Sequence, residues 1–190
     1  MNSKIKRIIN FSTAFGPSGM EDEVSSLAME DVKDICEVHD DTMRNTYMHF
    51  KQDKEHETTI LLDAHADEVG FIVQAIKPNG TIRFLPLGGW DPKNIVSGEV
   101  WILNDKGEKI SGIVASQPVH FLSEEKRNGK VDFDDLVIDV GATSSQEVKE
   151  EFHISVGNFM CPAVTCKYDE AHKIFLGKDL TQGLGAGGKP

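Results

Sequence analysis

Apolar and polar positions change rhythm twice along this chain. From Ile5 the spacing is helical, with Ile5, Ile8 and Ile9, then Ser12 and Phe15, sharing a loose face. The segment "FGPSG" stops it. Ser18 and Glu21 read as a capping box, the serine hydroxyl placed to accept from the amide three residues on. A second helix follows, with the stripe Val24, Leu27, Ala28, Val32 and Ile35. "CEVHD" and "TYMHF" read as short strands joined by the turn "DDTMRN". Thr59, Ile60, Leu61 and Leu62 run on without polar alternation, which predicts a strand buried on both faces. Beyond Val69 short strands alternate with turns: "GFIVQAI", "PNG", "TIRFLP", "GGWDP", "EVWIL", "NDKG", "EKISGIVAS". That spacing predicts a small β-barrel or sandwich. "SSQEVKEEF" is a helix opened by a second box at Ser144 and Glu147, and "AVTCKYDEAHKIFLGK" is a hairpin leading back out. The whole pattern is that of an α/β piece, residues 1–69 and 165–190, with a β-rich domain, 70–164, inserted into it.

Composition narrows the partners. Hydrophobic residues at 39% and charged residues at 27% of 190 describe an ordered globular chain. A formal net charge of −11 argues against nucleic acid or an anionic membrane as partner, because both require clustered lysine and arginine. No stretch approaches a membrane span, and "MNSKIKRIINFSTAFG" lacks the unbroken apolar core of a secretory leader, so a cytoplasmic location is expected. Cys36, Cys161 and Cys166 form no Cys-x-x-Cys pair and no closed disulfide set, which predicts buried reduced thiols.

Chemistry concentrates in "DAHADEVGFIV". His65 falls at or just past the end of the expected buried strand, the place where α/β enzymes present ligands. Asp67 follows two residues later. An imidazole can ligate a metal while a neighbouring carboxylate holds its other nitrogen and sets the tautomer. Alone, His-x-Asp is more often a satisfied turn histidine than a ligand.

The longer context is more specific. "HADEVGFIV" closely resembles the first metal-ligand motif of the glutamyl and tetrahedral (deblocking) aminopeptidases, a family of dinuclear metallopeptidases. "GPSGMED" resembles the family's N-terminal Pro-Ser-Gly-x-Glu signature, and "DDTMRN" its Asp-x-x-x-Asn turn, with Arg44 where a glycine usually precedes Asn45. "LGGW", "GIVASQPVHF" and "LVIDVGATSSQEV" resemble segments of the family's inserted domain, and "VGNFM" carries Asn158 where aspartate is common. The resemblance runs in order from residue 11 to about residue 180.

It implies an aminopeptidase with a phosphorylase/hydrolase-like catalytic layer of helices and mixed sheet, and an inserted β-barrel-like domain that mediates dimerisation. It also implies two divalent metal ions, zinc or cobalt, sharing a water that attacks the peptide carbonyl. His65 would be a terminal ligand, Asp67 the carboxylate that orients it, and a separate glutamate the general base. His120 would lie in the inserted domain, where a structural or interface role is the expectation. Peptides would be the substrates, and homo-oligomers would form through the inserted domain.

The resemblance also marks what is expected to be missing. Where the family has Gly-Lys-x-x-Asp, this chain reads "GKDLTQGLG", with Gly177 and Lys178 in place but Thr181 at the bridging aspartate. Asp179 lies two residues early and takes no ligand role. A neutral threonine cannot offset the repulsion of two divalent cations. The chain by itself is therefore expected to bind metal weakly or not at all and to lack peptidase activity. "GLGAGGKP" is no phosphate loop, because it opens no helix. The codons of Thr-Gln-Gly-Leu-Gly at 181–185, read one base earlier after a leading G, permit Asp-Ser/Thr-Arg-Ile-Gly, so residues from Thr181 onward are expected to be frame-shifted sequence. The alternatives are a non-catalytic oligomerisation or regulatory subunit and a relative of the kind labelled endoglucanase.

Overall fold

The structure, a computed structural model, describes residues 2–51, 60–117, 120, 124, 129, 131–178 and 180. Its first elements are α1 (Ser3–Thr13), α2 (Asp22–Val32), β1 (Cys36–Asp40) and β2 (Thr46–Phe50). Then come β3 (Gly70–Ile76), β4 (Ile82–Leu87), β5 (Glu99–Leu103), β6 (Lys109–Ser116) and β7 (Leu136–Asp139). Last are α3 (Ser145–Glu150), β8 (Phe159–Pro162), β9 (Lys167–Asp169) and β10 (Ile174–Leu176). The chain divides into two compact units, 1–67 with 165–190, and 68–164.

In the first unit α1 ends where "FGPSG" begins, and the residues around that stop are the buried ones: Ser12, then Ala14 to Pro17. The first expected capping box does not form. Helix α2 starts only at Asp22, and Glu21 accepts from the Gly19 amide at 2.6 Å instead of capping the helix. The cause is a tight turn over Pro17–Met20, closed by the Met20 amide on the Pro17 carbonyl at 2.8 Å, with Gly19 at φ +93°. That turn uses the backbone that a Ser18 cap would need. Asp22 and Glu23 instead put negative charge at the helix start, where the dipole favours it.

β1 and β2 pair antiparallel across the expected turn, which is built around the Asp41 carboxylate. Its oxygens accept from the amides of Met43 at 2.8 Å and Asn45 at 2.9 Å and from the Asn45 side chain at 2.8 Å. The Asn45 side-chain bond is the main reason the Asp41 carboxyl lies below its ordinary value. Arg44 adopts φ +66°, the left-handed conformation that glycine takes without steric penalty, and its guanidinium pairs with Asp22. Relief of that backbone strain outweighs an exposed ion pair and the entropy of glycine. Arg44→Gly is therefore expected to raise stability by up to about 1 kcal/mol in denaturant titration.

The buried strand expected at 59–62 is not found. Thr59 lies outside the described residues, and Ile60, Leu61 and Leu62 carry no regular structure and are 82%, 83% and 91% exposed. A strand apolar on both faces needs ladder partners and covering layers, and these residues have neither. Among the described residues a mixed sheet is likewise not seen. The unit's described strands form two antiparallel pairs, β1 with β2 and β9 with β10.

The second unit, expected as a barrel or a sandwich, contains a closed six-stranded barrel in the order β3-β4-β7-β6-β5-β8, every neighbour antiparallel. Closure leaves no unpaired sheet edge. Period-two alternation supplies the interior: Ile82 and Phe84 of β4 and Val100 and Ile102 of β5 are buried between more exposed neighbours. At α3 the serine half of the second capping box forms, and Glu147 takes the amide one residue before the cap. Ser144 accepts from the Glu147 amide at 3.2 Å, and Glu147 reaches back to the Thr143 amide at 2.8 Å. None of the three cysteines is in a disulfide and all three are buried, as expected. Among the described residues, no helix is long and apolar enough to cross a membrane.

Asn158 has a readable purpose in this unit. Its amide donates to Asp105 at 2.9 Å, and Ser155 donates to the same carboxylate at 2.5 Å. These two bonds, Ser155 first, hold the Asp105 carboxyl below its ordinary value. A depressed folded pKa contributes stability that is present above the unfolded value and lost as pH falls through the folded one. Asn158→Asp replaces a donor by a second carboxylate. The variant is expected to be less stable than wild type at pH 7, with the gap narrowing below about pH 4 as protonation restores a donor. Thermal melts across pH 3–7 check it.

Candidate functional site

The segment carrying His65 is irregular, so its placement depends on what lies behind it. Gly16 provides that support. A β-carbon there would lie 2.6 Å from Val24 Cγ2, so α2 closes onto bare backbone, while the Ala66 carbonyl oxygen of the His65 segment lies at an ordinary contact distance, 3.6 Å. This is the physical use of "GPSG". The Phe15 amide donates to Glu23 at 3.1 Å, tying the same stretch to the first turn of α2.

His65 and Asp67 are close together. His65 Nδ1 lies 3.0 Å from Asp67 Oδ1 and 3.0 Å from the Asp67 carbonyl oxygen. Both neighbours are acceptors, so Nδ1 carries the proton and the lone pair of the neutral ring resides on Nε2. That is the tautomer in which a histidine can ligate a metal through Nε2. The two side chains are half exposed, and Glu68, next in the chain, is buried.

The other end of the unit approaches through Gly177. A β-carbon on Gly177 would lie 2.6 Å from Ser12 Oγ and 2.9 Å from Cys166 Sγ, and the Ser12 hydroxyl donates to the Lys178 carbonyl. The Cys166 amide donates to Thr13 Oγ1 at 3.0 Å. Sequence reasoning had no signal for Ser12, Thr13 and Cys166 as the seat of "GK". Thr181, expected at the bridging-ligand position, and Asp179 lie outside the described residues. His120 is exposed.

A two-metal centre needs several donors around each ion. Among the described residues no group of three or more His, Cys, Asp or Glu side chains is placed to hold a metal ion. His65 offers one ligand, and Asp67 is committed to His65. The described residues alone do not fit a dinuclear site.

Known proteins resemble this chain. The M42 glutamyl aminopeptidase family matches residues 45–182 of the chain. A lysyl aminopeptidase from Pyrococcus furiosus is 33% identical over 138 residues, which is 71% of this chain and 39% of that protein. A TET aminopeptidase from a marine-sediment Thaumarchaeota archaeon superposes with a TM-score of 0.82 at 33% identity, over 90% of this chain and 47% of that one. The Pyrococcus horikoshii TET1 peptidase, described as assembling into a tetrahedron or a large octahedral shell, gives 0.74 at 27% identity, over 87% of this chain and 48% of that one. The chain spans about a third of the length of the curated relatives it matches. A match over well more than half of its 190 residues, carried by a fold shared with solved aminopeptidases, means that this chain belongs to the M42 glutamyl aminopeptidase family.

Proposed function

We propose that this chain represents part of a metal-dependent aminopeptidase that removes N-terminal residues from peptides in the cytoplasm. The observation that carries the reading is the 3.0 Å approach of Asp67 Oδ1 to His65 Nδ1 on the "HADEVG" segment. In this reading His65 would ligate one of two divalent ions, zinc or cobalt, and Asp67 would fix its tautomer and orientation. The bound ions would supply an activated water at neutral pH. Residues 1–69 with 165–190 are then an incomplete catalytic domain. Residues 70–164 are a dimerisation domain through which copies of the chain form a homo-oligomer, the property carried over from the assembling TET1 peptidase.

The 190-residue chain by itself has no significant peptidase activity in this reading, because among the described residues no further ligand joins His65, which alone holds a metal weakly. Aminoacyl anilides and cellulose, each offered with added zinc or cobalt, provide the assay. No turnover of either is expected. Chelator-sensitive release of amino acids by the purified chain would overturn the inactivity, and hydrolysis of cellulose would favour the endoglucanase reading. Co-purification with a full-length paralogue would instead favour a regulatory subunit.

A further inference from the structure

The β1–β2 hairpin carries a pair of histidines that the aminopeptidase reading does not use. In its register His39 faces Tyr47 and Glu37 faces His49, so these four side chains alternate onto one face, opposite Cys36, Val38, Met48 and Phe50. His39 and His49 are diagonal neighbours across the strands, the arrangement in which large side chains meet. Their rings are parallel, at an interplanar angle of 0°, with centroids 5.5 Å apart. Tyr47 braces the pair by stacking on His39 at 4.9 Å, and its hydroxyl is anchored on Asp41 at 3.2 Å. Both histidines are exposed.

We propose that His39 and His49 together bind one late transition-metal ion on the exposed face of this hairpin, at a place distinct from His65. Imidazole suits copper, nickel and zinc, and metal–nitrogen bonds of about 2.0–2.1 Å require the two nitrogens to converge on one point. Exposed rings already side by side reach that point by rotation of their own side chains, while the paired strands keep their origins fixed. A pair on a rigid backbone chelates, so the second bond forms without a second loss of translational freedom. Glu37, directly across from His49, adds a carboxylate to the same face. With no third ligand already in place among the described residues, water completes the coordination. The other histidine contacts differ in kind. His65 and His172 each place Nδ1 against a single carboxylate, of Asp67 and Asp169, rather than beside a second ring.

Calorimetric titration of the full chain with copper(II), nickel(II) and zinc(II) tests the pair. One equivalent should bind, with copper tightest. His39→Ala and His49→Ala should each weaken binding at least about tenfold, or about 1.4 kcal/mol, while His172→Ala should leave it unchanged. As a check independent of any variant, substoichiometric copper(II) should broaden the imidazole resonances of His39 and His49 in the wild-type protein before those of the other histidines. Affinity unaltered by both hairpin substitutions, or equal broadening of all histidines, would overturn the site. Neither result touches the peptidase reading, which rests on His65.

Discussion

Phe71→Ala is expected to cost the barrel unit about 3–5 kcal/mol, the range for removing a fully buried phenylalanine. Phe71 is 0% exposed and sits on β3, the strand that pairs with both β4 and β8 to close the ring. Its ring meets Phe84 edge-on at 5.1 Å and stacks on Trp90 at 4.8 Å. The Trp90 indole is held by donation to the Gly70 carbonyl at 3.0 Å, so it cannot swing inward to fill the space without breaking that bond. Aromatic pairs of this kind add about 0.5–1.5 kcal/mol beyond area burial. Domains of ordinary stability have only about 5–15 kcal/mol in total. The variant should therefore sit near the edge of folding, with a sharply lower denaturation midpoint, while Phe71→Leu retains most of the stability. A loss under about 1 kcal/mol would mean that the cavity collapses and that this cluster is not the keystone of the barrel.

How much of this was legible before the structure depends on whether the information was local. β3, β5 and α3 could be placed from short apolar runs set between turn signals and from a Ser-x-x-Glu box because those signals lie within a few residues. The box at Ser18 misled for the same reason. Ser18 and Glu21 have the right spacing, but Pro17 and Gly19 commit the intervening backbone to a tight turn. The run at 60–62 misled differently, since apolar residues record a need for cover and not its presence. The approach of Asp67 to His65 is a two-residue matter and could be anticipated. The seat of Gly177 on Ser12 and Cys166 could not, because it joins the two ends of the chain and leaves no periodic trace. The histidine pair lies between these cases. Each residue was on a readable strand, but only the hairpin register sets His39 beside His49.

Gly80→Ala is expected to be the other large loss, and a second glycine allows its causes to be separated. Gly80 closes the turn between β3 and β4 at φ +84°, with its amide on the Lys77 carbonyl at 2.9 Å. A β-carbon there would lie 2.4 Å from the Ala142 carbonyl oxygen and 2.8 Å from its carbon. Both are backbone atoms just ahead of α3, so no side-chain rotation relieves the contact. Gly107 has nearly the same conformation, φ +77°, in the turn between β5 and β6, and nothing lies within 4 Å of its would-be β-carbon. Gly107→Ala should therefore show the left-handed backbone cost alone, about 1–2 kcal/mol. Gly80→Ala carries that cost plus the displacement of residues 142–144, and should lose about 3–4 kcal/mol in all, in the upper range of single substitutions. Paired denaturant titrations measure the difference. Equal losses at the two sites would show that the chain ahead of α3 yields freely. A larger loss at Gly80 would show that this turn and the start of α3 are held as one rigid piece of the barrel unit.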